Sequence, residues 1–259
     1  MTPDQSLQRG AALLAESGIP DPQREARLLW RNGGETGDFL AMVARRAQRV
    51  PMSQILGYRD FYAHRFIVTE AVLDPRPDTE TLIACALGTT FTRVLDLGTG
   101  SGCILLSLLA ARADAQGVGA DLSDAALEVA LQNCAALEIG ARADFVQSDW
   151  FAKISGTFDL IVSNPPYIAA CEMDALQPEV RLYEPRMALT DEADGLSAYR
   201  IICDTAPTYL TPGGRLMVEI GPSQADAVAA MMAGAGLIGV QVHQDFDGRD
   251  RVVAARMPK

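Results

Sequence analysis

Residues Asn164-Pro165-Pro166-Tyr167 place a carboxamide, two proline carbonyls and a phenol directly after an apolar run, Phe158-Asp-Leu-Ile-Val-Ser163. Two prolines fix φ and remove two backbone N–H groups, so the loop offers acceptors without competing local donors. The side-chain oxygen of Asn164 and the carbonyl of Pro165 can each accept one hydrogen from an incoming –NH2 group, and the Tyr167 ring suits its planar conjugated part. An amide nitrogen shares its lone pair with its carbonyl and is a poor nucleophile. Acceptors held in fixed geometry favour a more pyramidal nitrogen with its lone pair aimed at an electrophilic carbon, so positioning and preorganised dipoles supply most of the catalysis. A plain Pro-Pro turn leaving a strand is the alternative.

A second constellation lies upstream. Asp96-Leu97-Gly98-Thr99-Gly100-Ser101-Gly102 follows an apolar strand and opens an apolar helix, placing the glycines in the strand-to-helix turn where open α/β sheets bind ligands. Cys103 stands where a dinucleotide fingerprint has its third glycine, so a ligand without a pyrophosphate fits at least as well. Asp121, 19 residues after Gly102, ends the next strand, where its carboxylate can accept from ribose hydroxyls. One strand further on, Asp149 and Trp150 supply a carboxylate and a flat apolar surface suited to an adenine ring. Taken singly, the glycines could form only a tight turn, Asp121 could cap a helix near Asp124, and Trp150 could be core. Their recurrence at three successive strand ends favours a ligand.

These residues need a sheet to carry them. Strands are expected over 93–97, 117–121, 144–149, 158–164, 215–221, 239–245 and 251–257, with helices near 102–112, 124–138, 196–209 and 223–235. The alternation predicts an α/β fold, a doubly wound and mostly parallel seven-stranded sheet covered on both faces. Ahead of it, Thr2-Pro3 with Gln5 forms an N-terminal capping signal, Asp21-Pro22 starts a second helix ended by Gly33-Gly34, and a third spans about 37–49. The expected organisation is a helical domain over 1–56, a β-hairpin connector over 57–74 rich in aromatic and β-branched residues, and a catalytic domain over 75–259.

Composition narrows the function. Of 259 residues 49% are hydrophobic, enough for one full α/β domain plus a smaller attachment. Neither a membrane-spanning run nor a leader segment is expected, and a soluble cytoplasmic protein is. Five widely separated cysteines and two distant histidines point to free thiols in a reducing compartment and no metal site. The net charge of −11 resides in the body: residues 1–74 balance nine arginines against nine carboxylates, while 75–259 carry 13 basic and 24 acidic residues. That field repels phosphates, favouring a protein or small-molecule partner over direct nucleic-acid contact.

The order of the glycine loop, Asp121, Asp149-Trp150-Phe151 and Asn164-Pro-Pro-Tyr167 resembles the class I methyltransferases that modify exocyclic amino or amide nitrogens. More narrowly, Gln54-Ile-Leu-Gly57, Pro75-Arg76-Pro-Asp-Thr-Glu80, Val180-Arg-Leu-Tyr-Glu-Pro185, Asp194-Gly-Leu196 and Glu219-Ile-Gly221 resemble the release-factor glutamine methyltransferases. The resemblance covers nearly everything after about residue 50. It implies S-adenosylmethionine as methyl donor, S-adenosylhomocysteine as its product, and N5-methylation of the glutamine in the Gly-Gly-Gln motif of class I peptide-chain release factors. It assigns Gly98, Thr99, Gly100, Ser101, Gly102, Asp121, Asp149, Trp150 and Asn164 to the cofactor. Asn164, Pro165, Pro166 and Tyr167 go to the glutamine, with Asn164, Pro165 and Tyr167 catalytic and Arg76 and Glu80 at the peptide entrance. Asp74 and Ala193 depart from the family pattern, outside the proposed reaction centre. A glutamine methyltransferase acting on a ribosomal protein would share the acceptor loop. A DNA adenine methyltransferase would need a basic reading domain, for which the 92 residues after Tyr167 leave no room. A ligand-sensing module leaves Asn-Pro-Pro-Tyr unexplained.

Overall fold

The computed structural model describes residues 2–34 and 37–259. Met1, Glu35 and Thr36, which fall within the expected helical domain, lie outside the described residues. Thr2 opens helix α1 (Pro3–Glu16) with the anticipated capping box: its Oγ1 accepts from Gln5 N at 3.3 Å and Gln5 Oε1 accepts from Thr2 N at 3.0 Å. Asp21 caps α2 (Pro22–Gly33) by accepting from Arg24 N. Helices α3 (Phe39–Ala47) and α4 (Met52–Leu56) follow, and Gly57 ends α4 at φ +81, a left-handed conformation that suits glycine. Strands β1 (Tyr58–Phe61) and β2 (His64–Ile67) form a two-stranded sheet.

The remaining elements are α5 (Glu80–Leu87), β3 (Arg93–Leu97), α6 (Cys103–Ala111), β4 (Gln116–Asp121), α7 (Asp124–Ala136), β5 (Ala143–Gln147) and β6 (Phe158–Ser163). After these come α8 (Pro178–Tyr183), α9 (Arg186–Leu189), α10 (Ser197–Tyr209), β7 (Leu210–Glu219), α11 (Ala225–Gly234), β8 (Ile238–Gln244) and β9 (Asp250–Arg256). Every expected strand is present. Helices α4, α5, α8 and α9 were not anticipated.

The chain divides into two compact units. The first comprises residues 1–58 together with 176–183, so it is discontinuous in sequence. Its core is Leu14, Ala26, Leu29, Phe39 and Val43, with Trp30 edge-to-face on Phe39 at 5.1 Å. The distant segment belongs to this unit because α3 holds it by charge. Buried Arg46 bonds both Glu25 (2.5 Å) and Glu179 (3.0 Å), Arg49 reaches Glu179 at 2.9 Å, and Gln54 Nε2 donates to Tyr183 O. A sequence cut after residue 56 cannot anticipate a contact 133 residues away.

The second unit comprises residues 59–175 and 184–259. Its sheet runs β5-β4-β3-β6-β7-β9-β8, parallel from β5 through β7, with β9 antiparallel to both its neighbours. Side chains alternate across it. Val94, Leu160, Val162, Val252 and Ala254 pack with α5 and α6 on one face; Leu95, Leu97, Ile161, Val253 and Ala255 pack with α10 and α11 on the other. Burial on both faces accounts for the near-continuous apolar strands. Among the described residues no helix is long and apolar enough to cross a membrane.

Candidate active site

In an open α/β sheet, the crevice forms where strand order reverses, outside the carboxyl ends of the strands. Here β3 is that point: β4 lies on one side and β6, reached only after β5, on the other. A cleft with about 1040 Å³ of free space, including its open mouth, lies in the second unit at these ends. Gly98, Thr99, Gly100 and Ser101 line it from β3, Asp121 from β4, Asp149 and Trp150 from β5, and Asn164 and Pro166 from β6.

The glycine loop has a shape that side chains would oppose. Gly98, Gly100 and Gly102 all have positive φ (69, 55 and 78), and a Cβ on Gly98 or Gly100 would meet nothing within 4 Å. Both residues therefore offer backbone directly to the cleft. Gly98 N and Thr99 N donate to Ala120 O, and Gly102 N donates to Thr99 O, closing the turn. Beneath it, fully buried Asp96 accepts from Thr99 Oγ1 at 2.8 Å and Leu105 N at 3.3 Å. Burial pushes the Asp96 carboxyl up to about 7 despite these bonds. Asn133 of α7 ties the loop to the hairpin, donating to Ser101 O (2.9 Å) and Ile67 O (3.1 Å) and accepting from Ile67 N.

Asp121 is bonded on both oxygens, Oδ2 accepting from Gly100 N and Oδ1 from Ser123 N, each at 2.9 Å. Ser123, not Asp121, caps α7 through Ala126 N. Burial raises the Asp121 pKa, and the bonds from Ser123 and Gly100 oppose it. Each carboxylate oxygen keeps lone-pair capacity for a further donor. We expect Asp121→Ala to weaken binding of S-adenosylmethionine about 10- to 150-fold, or ~1.5–3 kcal/mol, by losing charge-assisted bonds. Calorimetric titration checks this, and an unchanged dissociation constant removes Asp121 from the binding surface. Trp150 adopts φ +47 and is partly packed on the core that includes α10 while also forming part of the cleft wall.

At the end of β6, Asn164 Nδ2 donates to Thr79 Oγ1 at 3.2 Å, leaving Oδ1 without a hydrogen bond among the described residues. Pro165 is buried, and Tyr167 packs against the core beneath α10 rather than lining the cleft. One residue the sequence did not single out, Gln224, holds this loop. Gln224 Nε2 donates to Tyr167 O (2.9 Å) and Gly195 O (3.1 Å), while its Oε1 accepts from Gly221 N. Burial first, then the nearby Glu219 charge, pushes the Tyr167 phenol up to about 12.

The two residues expected at a peptide entrance part company. Arg76 lines the cleft, and its Nη2 reaches both oxygens of buried Glu184 at 2.7 Å each. Glu80 is not in the cleft wall; its Oε1 accepts from Tyr62 N at 3.0 Å, pinning the hairpin turn. Gly102 supports the loop from behind, where its Cβ would crowd Leu106 and Ala130. Further wall residues, Ala71, Val72, Pro185 and Met187, were not anticipated in the site; Ala71 and Val72 lie in the expected connector and Pro185 in a stretch the family resemblance had marked. No cluster suited to a metal ion occurs among the described residues.

Comparison with known proteins agrees with this fold. The sequence family described as methyltransferase small domain matches residues 65–179. A methyltransferase from Pyrococcus furiosus shares the fold, with a TM-score of 0.58 at 15% identity over 75% of this chain and 89% of that one. The release factor glutamine methyltransferase of Cereibacter sphaeroides is 49% identical over 98% of each chain. That of Rhodospirillum rubrum is 44% identical over 96% of this chain and 83% of its own. With such identity along nearly its whole length, this chain belongs to the release factor glutamine methyltransferase family.

Proposed function

We propose that this protein transfers a methyl group from S-adenosylmethionine to the side-chain amide nitrogen, N5, of the glutamine in the Gly-Gly-Gln motif of class I peptide-chain release factors. The observation that carries this reading is the state of Asn164: it lines the cleft with its donor nitrogen engaged by Thr79 and its acceptor oxygen open. An open acceptor beside the glycine loop suits a substrate that brings N–H groups.

The donor set fits the cofactor. Backbone at Gly98 and Gly100 would meet it without side chains, Asp121 would accept from its ribose hydroxyls, and Trp150, in the cleft wall, would offer a flat surface to its adenine. Asp149, exposed at the end of β5, supplies a further acceptor. When bound, S-adenosylmethionine supplies an electrophilic methyl group on a sulfonium centre. Asn164 Oδ1 and Pro165 O accept the two amide hydrogens of the glutamine and orient its nitrogen. Tyr167 and buried Pro165 hold that loop, and the walled cleft replaces water by fixed dipoles. The net charge of −11 disfavours a nucleic-acid grip, leaving the release factor as the partner. The reaction belongs in the cytoplasm, where free cysteines such as those at 85, 103, 134, 171 and 203 persist.

Incubation with isotope-labelled S-adenosylmethionine and full-length release factor, followed by mass-spectrometric location of the methyl group, is the test. Label on the motif glutamine is expected, and label elsewhere or none overturns the reading. The helical unit, with Arg45 exposed on α3, is the part we assign to gripping the protein substrate. Full-length release factor is then expected to slow hydrogen exchange in residues 2–58, where a short Gly-Gly-Gln peptide does not. Equal protection by both ligands counts against that assignment.

A further inference from the structure

Glu219, the last residue of β7, is 1% exposed, and neither carboxylate oxygen closes a hydrogen bond. A buried carboxylate so placed is costly and calls for an explanation. Its surroundings supply one. The hydroxyl of Thr79 and the amide of Asn164 lie close enough to stabilise its charge. Arg251 of β9 attracts it, although that guanidinium is already paired with Asp245 and Asp78, each at 3.2 Å, and donates to Ile220 O. Asp78 repels it, and Tyr167, Tyr199 of α10 and Cys103 of α6 complete the set of titratable neighbours.

Resting on the reading of Asn164 as the acceptor for the glutamine amide, we infer that Glu219 is a positioning residue whose carboxylate, through Thr79, locks the Asn164 amide with Nδ2 inward and Oδ1 toward the substrate. Thr79 Oγ1 accepts from Asn164 Nδ2, which leaves the hydroxyl hydrogen free to turn toward the Glu219 charge that it helps to stabilise. An ionised carboxylate only accepts. It therefore imposes one direction on the relay, from Asn164 to Thr79 to Glu219. Protonated, Glu219 carries an O–H that can donate to Thr79 Oγ1, turning the threonine hydrogen toward position 164. The favoured amide is then the flipped one, with Oδ1 inward and a donor facing the substrate. One proton reverses the polarity of the relay.

The proton is within reach of physiological pH. Burial above all pushes the Glu219 carboxyl up to about 7, with Thr79, Arg251 and Asn164 opposing. The ionised, active form is thus present above that value and is lost as pH falls through it. The test has two arms. In the first, turnover of release factor is followed against pH at saturating S-adenosylmethionine. Wild type is expected to lose turnover on the acid side with a midpoint near 7, whereas Glu219→Gln lacks that limb and runs roughly 10- to 100-fold slower on the plateau. Cofactor affinity is unchanged in Glu219→Gln, Thr79→Val is slow, and Thr79→Ser restores turnover. A Glu219→Gln enzyme with wild-type turnover and the same acid limb overturns the inference.

The second arm needs no substrate: the Asn164 side-chain amide resonances, assigned by their loss in Asn164→Ala, are expected to titrate near pH 7 in wild type and to stay fixed in Glu219→Gln. Resonances that do not move in wild type overturn the inference by themselves. If wild type labels no release-factor glutamine, it is the functional reading that fails, and this titration still decides the role of Glu219.

Discussion

Asn164→Ala is expected to lower the single-turnover rate on release factor by on the order of 10²–10³, or ~2.7–4 kcal/mol, with little change in thermal stability. The large catalytic effect follows from removing one preorganised acceptor at the reacting nitrogen. The small structural effect follows from what the side chain otherwise does, a single 3.2 Å bond to Thr79 at a partly exposed site. Asn164→Asp sharpens the point. It keeps an acceptor but has no N–H for Thr79, and it sets a second carboxylate beside buried Glu219. Like charges in one pocket disfavour joint ionisation, so this variant is also expected to be slow near neutral pH. Rapid-quench measurement at saturating cofactor separates chemistry from binding, and a near-wild-type rate for Asn164→Ala would refute the proposed role.

Gly195→Ala is expected to lower turnover about 10²-fold or more while leaving S-adenosylmethionine affinity within a few-fold of wild type. Gly195 has φ +76, and a Cβ there would stand 2.3 Å from Tyr167 O. A clash with backbone cannot be relieved by a rotamer change, so the Asn-Pro-Pro-Tyr loop must shift. Gln224, which bonds both carbonyls, would lose its bridge as well. The glycine loop and Asp121 do not take part in that contact, which is why binding is spared. Calorimetry for the cofactor and steady-state kinetics for the release factor give the two readings. Wild-type turnover in this variant means the loop does not need its present position.

The sheet was legible because strands buried on both faces leave apolar runs, and Arg93–Leu97 and Phe158–Ser163 end in the glycine loop and in Asn164. Helix α5 was not, since Thr81, Leu82, Ile83 and Ala86 are all buried and an eight-residue helix with little polar face shows no period. Helices α8 and α9 have six and four residues, too few to display one. Within the site, Gly98 to Ser101, Asp121, Asp149, Trp150 and Asn164, all in the cleft wall, stood out by type and position, whereas the apolar wall residues and those that brace the site did not. Asn133 and Gln224 act through hydrogen bonds to the hairpin, the glycine loop, the acceptor loop and Gly195, 29 to 66 residues away, and Glu219 through its charge on Thr79 and Asn164; neither composition nor spacing encodes these. Glu80 shows the converse: its motif pointed to the substrate, and its carboxylate holds the hairpin.

The discontinuity of the helical unit bears on how the chain is born. Synthesis proceeds from the N-terminus, so α1 to α4 leave the ribosome long before Glu179 exists. Until then Arg46, buried in the finished unit, has Glu25 but not its second carboxylate, and Tyr183 cannot yet donate its hydroxyl to Gln48 O. A buried cation with half its partners missing is unfavourable. The nascent helices therefore wait in a looser state until the strands up to β6 and the loop after it have emerged, and the last turn of their consolidation coincides with delivery of the segment that follows the acceptor loop. A domain first in sequence thus waits, by this ion pair, on residues made after β6, although it is complete before β7 to β9 of the second unit are synthesised.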